Sequence, residues 1–456
     1  MIRTTPYVKI QWRFAVGFFI VCLGTSKKGP SSPLLFLFRL GGSFFFLILL
    51  WYTKRHRLPG IIQRRSNEMK KRVAGLLLAL SIISGCAAPA PKKEEVFFPD
   101  PPELPRIQYL TSYTGTRDIQ EQSGFMTFVA GEIPKVGVDK PYGVALYEGK
   151  IYVCDTNATV VVFDLRNKTF LPLEGAVGPG KLLQPFNISI DKQGNKYVTD
   201  LSRNQVVLFD KDDKYVNAIG VPTIWKPTDA VVYGDKLYVA DAKNGVIDVF
   251  DLKTREIIKK IGRTGEKNDW LDTPTNLAFD NEGYLYVSDA LRFQVLKFDR
   301  DGHLISKLGK LGDNVGNFAR PKGIALDKEK RLYVVDAAFN NVQMFDKEGR
   351  TLMFFGGPGP KRGNLVLPAK VAIDYENLKY FEKFVSPTFE PEYLVVVTSQ
   401  FGPSRVNLFA VGKQKGVTYP TEEEEIQKLK EKVEKFLREN PEKAGPETDL
   451  ERPQDK

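Results

Sequence analysis

One sequence pattern recurs six times between residues 140 and 412, and it limits the chain to a repeat architecture. Each copy opens on a proline that precedes a run of small and β-branched residues. A Tyr-Val-x-Asp run and a Val-x-x-Phe-Asp run follow, and both are looser in the sixth copy. Successive copies are 44, 42, 47, 47 and 47 residues apart, and their opening residues are Pro141, Pro185, Pro227, Pro274, Pro321 and Pro368.

Each copy contains four short runs with the composition of β-strands. In the fifth copy they are Gly323–Leu326, Leu332–Val335, Val342–Phe345 and Leu352–Gly356. Alternating apolar residues and turns rich in Asp, Gly or Lys favour antiparallel pairing, and four strands every 40–50 residues are typical of propeller blades. The sixth copy ends after its third run, so we predict that Arg106–Thr114 supplies the missing strand and closes the ring.

The repeat resembles the NHL family, whose pattern is Pro-x-Gly-Ile-Ala-x-Asp, then Tyr-Val-x-Asp, then Val-x-x-Phe-Asp. The fifth copy opens on Pro321-Lys-Gly-Ile-Ala-Leu-Asp327, and the resemblance covers residues 140–412. It implies an all-β fold, a six-bladed β-propeller of four-stranded antiparallel blades over 106–412. It implies little about function, because one propeller fold hosts many activities.

The net charge of +11 would suit a nucleic-acid or an anionic-membrane partner. The position of the charge along the chain argues against a nucleic-acid partner. Residues 1–85 hold fourteen basic side chains and a single acidic one, Glu68. The remaining residues hold 52 basic and 54 acidic side chains, a net −2. We therefore expect no nucleic-acid partner for the part of the chain that carries the repeats.

Residues 69–86 have the layout of a bacterial lipoprotein signal peptide. Met69-Lys-Lys-Arg72 precedes about a dozen apolar residues, too few to span a bilayer, and the run ends at Ile83-Ser84-Gly85-Cys86. This end resembles a lipobox, which implies a signal peptide over 69–85, cleavage before Cys86 and acylation of Cys86. Acyl chains such as palmitate would anchor the protein in a membrane. Ala87 in place of an aspartate favours the outer membrane of a bacterial cell envelope.

The segments on either side of the signal peptide differ from it in composition. Residues 1–68 contain apolar stretches at Phe14–Leu23 and Leu34–Tyr52. They are either two poor transmembrane helices or, as we favour, a mis-annotated upstream extension before a true start at Met69. Residues 86–105 are rich in proline and charge, which predicts an extended tether.

The C-terminal sequence predicts a helix within 413–440 and a disordered tail over 441–456. Thr421 is the expected N-cap, and glutamates at 422–425 suit the first turn. A narrow apolar stripe follows at helical spacing and would either pack on the propeller or bind a partner. Its members are Ile426, Leu429, Val433, Phe436 and Leu437.

The residue two positions after each opening proline lies where the innermost strand of a blade begins, beside the central channel. Asn187, Asp229 and Asn276 place oxygen-bearing side chains there in three consecutive copies, and Lys370 lies further round. Hard cations prefer oxygen ligands. Propeller lactonases hold calcium in a similar arrangement, so Ca²⁺ is the one cofactor that a resemblance implies. The structural alternative is that these residue types tolerate unusual backbone at a strand start.

The sequence offers no Ser-His-Asp set and no histidine-held zinc site, so we name no catalytic residue. His303 lies in an Asp-Gly-His turn and is expected to be exposed. Cys154 takes a strand position that small residues fill in other copies, which predicts a core thiol. The recurrent aspartates after the second strands are expected to accept backbone N–H bonds in turns; they are Asp155, Asp200, Asp241, Asp289 and Asp336.

The sixth copy carries an insertion, Tyr375–Pro391, where the other copies have a tight turn. Long loops on a rigid scaffold commonly carry function. Its aromatic residues would either anchor a protein partner or cover the seam at which the ring closes. They are Tyr380, Phe381, Phe384 and Phe389.

Together these features predict a lipid-anchored envelope protein whose propeller is a non-catalytic recognition or scaffold module. Similar NHL lipoproteins imply an envelope partner such as an exported multihaem cytochrome or a surface-assembly complex. The alternative is a hydrolase or lyase of the propeller-lactonase kind, with a divalent metal in the channel at Asn187, Asp229 and Asn276.

Overall fold

The computed structural model describes residues 94–120 and 134–421, apart from positions 158, 221–223, 264, 266, 268 and 269. It also describes four strands before residue 51 and single positions between 424 and 439. The predicted signal peptide, lipobox and acylated Cys86 lie outside the described residues. The chain divides into two compact units, residues 1–92 and residues 93–456.

The described part of the first unit consists of four strands. They are β1 (Trp12–Ala15), β2 (Phe18–Cys22), β3 (Leu34–Leu40) and β4 (Ser43–Leu50), paired antiparallel in sequence order. The two apolar stretches for which helices were one alternative are therefore strands wherever the backbone is described. Within the described residues, no helix has the length and apolar character needed to cross a membrane.

The second unit contains six antiparallel sheets, and five of them consist of four consecutive strands paired in sequence order. Blade 1 holds β7 (Pro141–Tyr147), β8 (Lys150–Asp155), β9 (Val160–Asp164) and β10 (Thr169–Pro172). Blade 2 holds β11 (Pro185–Ile190), β12 (Lys196–Asp200), β13 (Gln205–Phe209) and β14 (Tyr215–Ile219). Blade 3 holds β15 (Pro227–Tyr233), β16 (Lys236–Asp241), β17 (Val246–Asp251) and β18 (Ile257–Ile261).

The next two blades follow the same plan. Blade 4 holds β19 (Pro274–Phe279), β20 (Leu285–Asp289), β21 (Gln294–Phe298) and β22 (Leu304–Leu308). Blade 5 holds β23 (Pro321–Leu326), β24 (Leu332–Asp336), β25 (Asn341–Phe345) and β26 (Thr351–Gly356). Every innermost strand begins at the repeat proline, and the prediction of a six-bladed β-propeller is confirmed.

Blade 6 is completed by chain from the N-terminal side of the repeats. Its sheet holds β27 (Pro368–Asp374), β28 (Phe389–Ser399) and β29 (Val406–Gln414), and β6 (Ile107–Tyr113) pairs with β29 as the fourth strand. The strand predicted from Arg106–Thr114 is therefore β6. Because the two ends of the repeat region share one sheet, this blade fastens the ring.

A fifth strand that the sequence did not predict, β5 (Val96–Phe98), pairs with β6. The Phe98 ring packs against the rings of Phe355 and Phe409, at 6.2 Å between centroids in each pair. The predicted tether over 86–105 is wrong at residues 96–98, because burial of these apolar side chains holds the segment on the blade despite the prolines around it.

Helical structure is scarce in the described chain. A short helix, α1 (Thr116–Ile119), follows β6, and 3₁₀ turns lie at Gly178–Gly180, Leu378–Tyr380 and Glu382–Phe384. The positions described between 424 and 439 are helical and exposed. Glu424 N donates to Thr421 Oγ1, and Thr421 N donates to Glu424 Oε2, which is a capping box. The predicted apolar stripe lies outside the described residues.

The hydrophobic core lies between neighbouring blades. Side chains alternate across each strand, so every blade presents one apolar surface to the blade before it and another to the blade after it. Between blades 6 and 1, Leu394 and Val396 pack with Val144 and Val153. This closing contact is built like the others, so the ring has no exposed apolar seam.

Antiparallel order gives the ring two different faces. In every blade, the first strand begins, the second ends, the third begins and the fourth ends on the same side. We call this side the entry face: it is the face at which β7, β11, β15, β19, β23 and β27 begin. It carries the connections between blades and the turns between second and third strands, whereas the opposite face carries the remaining hairpin turns and the insertion.

Candidate functional site

The recurrent aspartates at the ends of the second strands have the structural role predicted for them. Asp336 accepts bonds from the backbone N–H groups of Ala319, Arg320, Ala338 and Phe339. The carboxylate thus ties the connection that enters a blade to the turn between that blade's second and third strands. The same bonding pattern occurs at Asp155, Asp200, Asp241 and Asp289.

The three side chains that the sequence placed at the channel do meet there, and all three are wholly buried. Asn187 Nδ2 donates to Asn276 Oδ1 at 3.0 Å. Asp229 accepts the backbone N–H of Ala230 on one carboxylate oxygen and that of Leu277 on the other, both at 2.9 Å. Leu277 belongs to the next blade, so Asp229 also joins blades 3 and 4.

Lys370 occupies the centre of this group. From blade 6 its Nζ reaches across the channel and donates to Asp229 Oδ2 at 2.9 Å and to Asn276 Oδ1 at 3.0 Å. The ammonium stands where the sequence predicted a divalent cation, so the oxygens of Asn187, Asp229 and Asn276 fit an internal lysine better than Ca²⁺. A hard cation such as Ca²⁺ binds six or more oxygen ligands, and the Lys370 ammonium at the same place would repel it. In the described part of the chain, no three His, Cys, Asp or Glu side chains are grouped to hold a metal.

Glycine replaces a polar residue at this position in blades 1 and 5 because the innermost strands approach too closely there. A Cβ on Gly143 would lie 2.6 Å from the Cα of Asn187, and a Cβ on Gly323 would lie 2.5 Å from the Cα of Lys370. Neither distance is compatible with a side chain. The two glycines therefore let the ring close tightly around the polar group.

Tyr142 lies one residue nearer the entry face than Gly143. It is buried and stacked on Phe186, at 3.7 Å between ring centroids. Burial raises the pKa of Tyr142, although the nearby Asn276 amide opposes this, and the hydroxyl is therefore protonated at neutral pH. The Asn276 amide lies beside the Tyr142 hydroxyl and is wholly buried.

Lys322 lies at the level of Tyr142, one residue into β23, and sequence reasoning missed it. It is 7% exposed; its Nζ donates to Gln400 Oε1 at 3.1 Å and lies 5.4 Å from the centroid of the Tyr142 ring. Burial, with the positive charges of Arg320 and Lys140, lowers the pKa of Lys322 to about 8. The sequence signal that could have identified Lys322 is its place in the repeat, because the equivalent residue of every other copy is uncharged. Those residues are Tyr142, Phe186, Thr228, Thr275 and Ala369.

The aromatic residues of the insertion point into the protein. Phe381 and Phe389 are wholly buried in the cluster between blades 6 and 1, and Tyr380 and Phe384 pack against that cluster. The prediction that the insertion anchors a partner is therefore wrong for Phe381 and Phe389, whereas for the half-buried Tyr380 and Phe384 it stays a prediction. Their alternative role fits, because the Phe381 ring lies 6.1 Å from that of Tyr113 on the closing strand.

Two further residues are placed as predicted. Cys154 is a wholly buried free thiol whose pKa is raised by burial, which suits a core position. His303 is exposed in its turn, with its Nδ1 3.1 Å from Asp299 Oδ2. Neither residue offers a nucleophile or base to the channel.

A cavity of about 590 Å³ lies between blades 2 and 3 beside the turns of the opposite face. Its walls include Asp191, Tyr197, Asp251 and Arg255. Asp191 and Asp251 accept backbone N–H bonds within their own turns, and burial raises the pKa of Tyr197. The carboxylates of this cavity thus serve the turns.

The entry face exposes an unusual amount of apolar surface. Eight large apolar side chains in its loops are each at least half exposed. Such residues normally mark interaction surfaces when they gather on one side of a molecule. The eight are Val136, Val177, Leu183, Ile224, Leu291, Leu311, Val315 and Phe401.

Comparison with a protein-family model supports the fold. A family model described as a 6-bladed beta-propeller matches residues 270–433. Among solved structures, the chain is similar to a streptogramin B lyase at 12% identity, over 69% of this chain and 89% of that one, with a TM-score of 0.44. It is similar to a gluconolactonase from Xanthomonas campestris at 16% identity, over 71% and 99%, with a TM-score of 0.46.

A protein of unknown function from Bacteroides thetaiotaomicron is also similar, at 15% identity over 66% of this chain and 76% of that one, with a TM-score of 0.47. At identities this low, the similarity to a lyase or a lactonase says nothing about the reaction or ligand of this chain. The class that the topology and the family model define is the six-bladed β-propeller.

Proposed function

We propose that the protein is a bacterial envelope lipoprotein, anchored through Cys86 to the outer membrane, whose propeller is a non-catalytic recognition module. The observation that carries the proposal is the entry face, where eight exposed apolar side chains surround a basic channel mouth. A closed ring holds these loops on a rigid frame, which suits repeated binding of one partner surface.

The channel supports a non-catalytic role. Its carboxylate, Asp229, is bonded to Lys370 and to two backbone N–H groups. Its phenol, Tyr142, stays protonated at neutral pH because burial raises its pKa, so it is not available as a base. Groups that satisfy one another in this way link blades 2, 3, 4 and 6, and none of them is free to act as a general base or nucleophile.

The partner that we propose is an envelope protein with an apolar surface and an acidic patch that complements the mouth. An exported multihaem cytochrome or a surface-assembly complex is the class that the NHL resemblance implies. Phe381 and Phe389 of the insertion are buried in the propeller's own core, so the contact surface that we propose is the entry face.

The test is affinity capture of the full-length protein from its native membrane. The variant Leu291→Ser/Leu311→Ser changes two residues of the entry face, and Ile258→Ser/Ile305→Ser is a matched control, because those isoleucines are similarly exposed on outer strands. We expect a stable envelope partner to be retained by the control and lost with the entry-face variant. Equal retention by both variants would overturn the proposal. Separately, Cys86→Ser should move the protein from the membrane to the soluble fraction.

The alternative is a hydrolase or lyase with a divalent ion at Asn187, Asp229 and Asn276. The meeting of their oxygens in the channel is the one observation in its favour. It requires Lys370 to leave Asp229, so added Ca²⁺ should raise the melting temperature of the wild type and not that of Asp229→Ala. We expect no such rise in either protein.

A further inference from the structure

Three basic residues, Lys322, Arg320 and Lys140, lie at the mouth of the channel, and the nearby carboxylates of Asp336 and Asp155 are bonded to backbone N–H groups. Lys322 is buried, and its Nζ donates to the neutral Gln400 Oε1 at 3.1 Å. Arg320 and Lys140 lie near enough to act on Lys322 electrostatically, and both repel it. No described carboxylate is recorded in an ion pair with any of the three. Burial of a cation without a counter-ion is unfavourable, so an anion bound beside Lys322 would stabilise its charge.

The surroundings of Lys322 form a small walled site. The next blade carries Ala369 at the equivalent position, and this small side chain lets Lys322 approach Tyr142 on the blade beyond. The Tyr142 ring forms one wall, with Nζ 5.4 Å from its centroid. Because Gln400 Oε1 accepts from Lys322, its Nε2 is left as a further donor, and no acceptor for it is recorded in the described chain.

We propose that this mouth, built by Lys322, Gln400, Arg320, Lys140, Tyr142 and Ala369, is a binding site for a small oxyanion. The ligand is a compound bearing carboxylate or phosphate oxygens, which would accept from the lysine and amide donors and offset the three positive charges. The inference goes beyond the proposed function, since the site would exist whether or not the entry face binds a protein.

Two properties of the site favour an anion over a buried structural lysine. A structural lysine is normally paired, as Lys370 is with Asp229 and as buried Lys196 is with Asp213, at 2.6 Å. Burial, together with the positive charges of Arg320 and Lys140, also lowers the pKa of Lys322. Even so, about nine-tenths of Lys322 side chains would be protonated at pH 7 and available to an anion.

The experiment is calorimetric titration of the purified full-length protein with sodium phosphate and, separately, with sodium citrate. Ionic strength is held at about 0.15 M with chloride, so that general screening stays constant. The variants are Lys322→Met and the exposed Arg320→Gln. The control is Lys226→Met, an exposed lysine that directly precedes the first strand of blade 3 on the same face.

We expect saturable binding of at least one probe by the wild type and by Lys226→Met. Lys322→Met should lose it, and Arg320→Gln should weaken it about fivefold to tenfold. Saturation by phosphate alone or by citrate alone identifies the oxyanion class. Absence of saturable binding of both probes, or equal binding by Lys322→Met, would overturn the proposal. If Lys322→Met does not fold, unchanged affinity in Arg320→Gln overturns it instead. Loss of the protein partner in the capture experiment leaves this result unaffected.

Discussion

At the scale of single residues, two buried lysines of the channel differ in whether a carboxylate compensates their positive charge. Lys370 is held by Asp229 and Asn276, so its charge is compensated within the chain. Lys322 has a neutral amide and an aromatic ring beside it and two positive neighbours. The first arrangement stabilises the ring, whereas the second costs stability, as is common where a ligand binds.

Removal of one partner of the central pair should be strongly destabilising. We predict that Lys370→Met lowers the free energy of unfolding by about 3 kcal/mol, because it leaves the buried Asp229 carboxylate without its cation. The double variant Asp229→Asn/Lys370→Met should recover most of that loss. Urea unfolding of both single variants and the double variant measures the coupling. Additive losses would show that the pair does not act as a unit.

Replacement of Lys322 should have the opposite effect. The pKa of Lys322 is about 8 in the folded state, below the ordinary value of 10.5. The unfolded chain therefore binds more protons between these values, and wild-type stability should rise as the pH increases through this window. In chloride buffer we predict that Lys322→Met is more stable than the wild type at pH 7 by about 2 kcal/mol. The difference should shrink towards pH 10.5, and a variant less stable at pH 7 would contradict this assignment.

At the scale of elements, the closing strand β6 decides whether the ring is continuous. It supplies the fourth strand of blade 6 and buries Ile107, Tyr109 and Leu110 between blades. The short strand β5 lies outside it and adds Phe97 and Phe98 to the same blade. The C-terminal and N-terminal ends of the propeller are thereby held in one sheet.

Truncated chains with and without β5 and β6 should show how much these strands contribute to the stability of the ring. A chain that starts at residue 115 lacks β5 and β6, and we predict a melting temperature at least 10 °C lower, or loss of cooperative melting, because β29 becomes an open edge. A chain that starts at residue 93 keeps both strands and should melt like the full protein. Unchanged melting of the shorter chain would refute the role of β6 as a closing strand.

At the scale of the whole molecule, the fold was more predictable than the site. The spacing of six prolines predicts six blades, and the missing fourth strand predicts closure from Arg106–Thr114, because both follow from local pattern and strand count. Strand β5 was not predictable, since three apolar residues among prolines have no local signal. The contacts of two long side chains could not be predicted from the sequence either. Lys370 crosses the channel to Asp229, and Lys322 lies beside the ring of Tyr142, and both contacts join residues from different blades.

The sequence also does not show which way the side chains of the insertion face. Its four aromatic residues have the composition of an interface, and only the three-dimensional structure shows that Phe381 packs against Tyr113 and that Phe389 lies in the core between blades 6 and 1. The eight exposed apolar residues of the entry face are spread over six different connections or turns. They gather on one face only after the chain is wound into a ring, so a reading along the sequence does not group them.

The central claim is that the propeller acts through its entry face and not through chemistry in its channel. The most direct measurement compares capture of the envelope partner by two variants, Leu291→Ser/Leu311→Ser at the face and Asp229→Asn/Lys370→Met in the channel, each shown to be folded by its melting curve. Our account predicts that the face variant loses the partner and that the channel variant retains it. Retention by the face variant with loss by the channel variant would contradict the account.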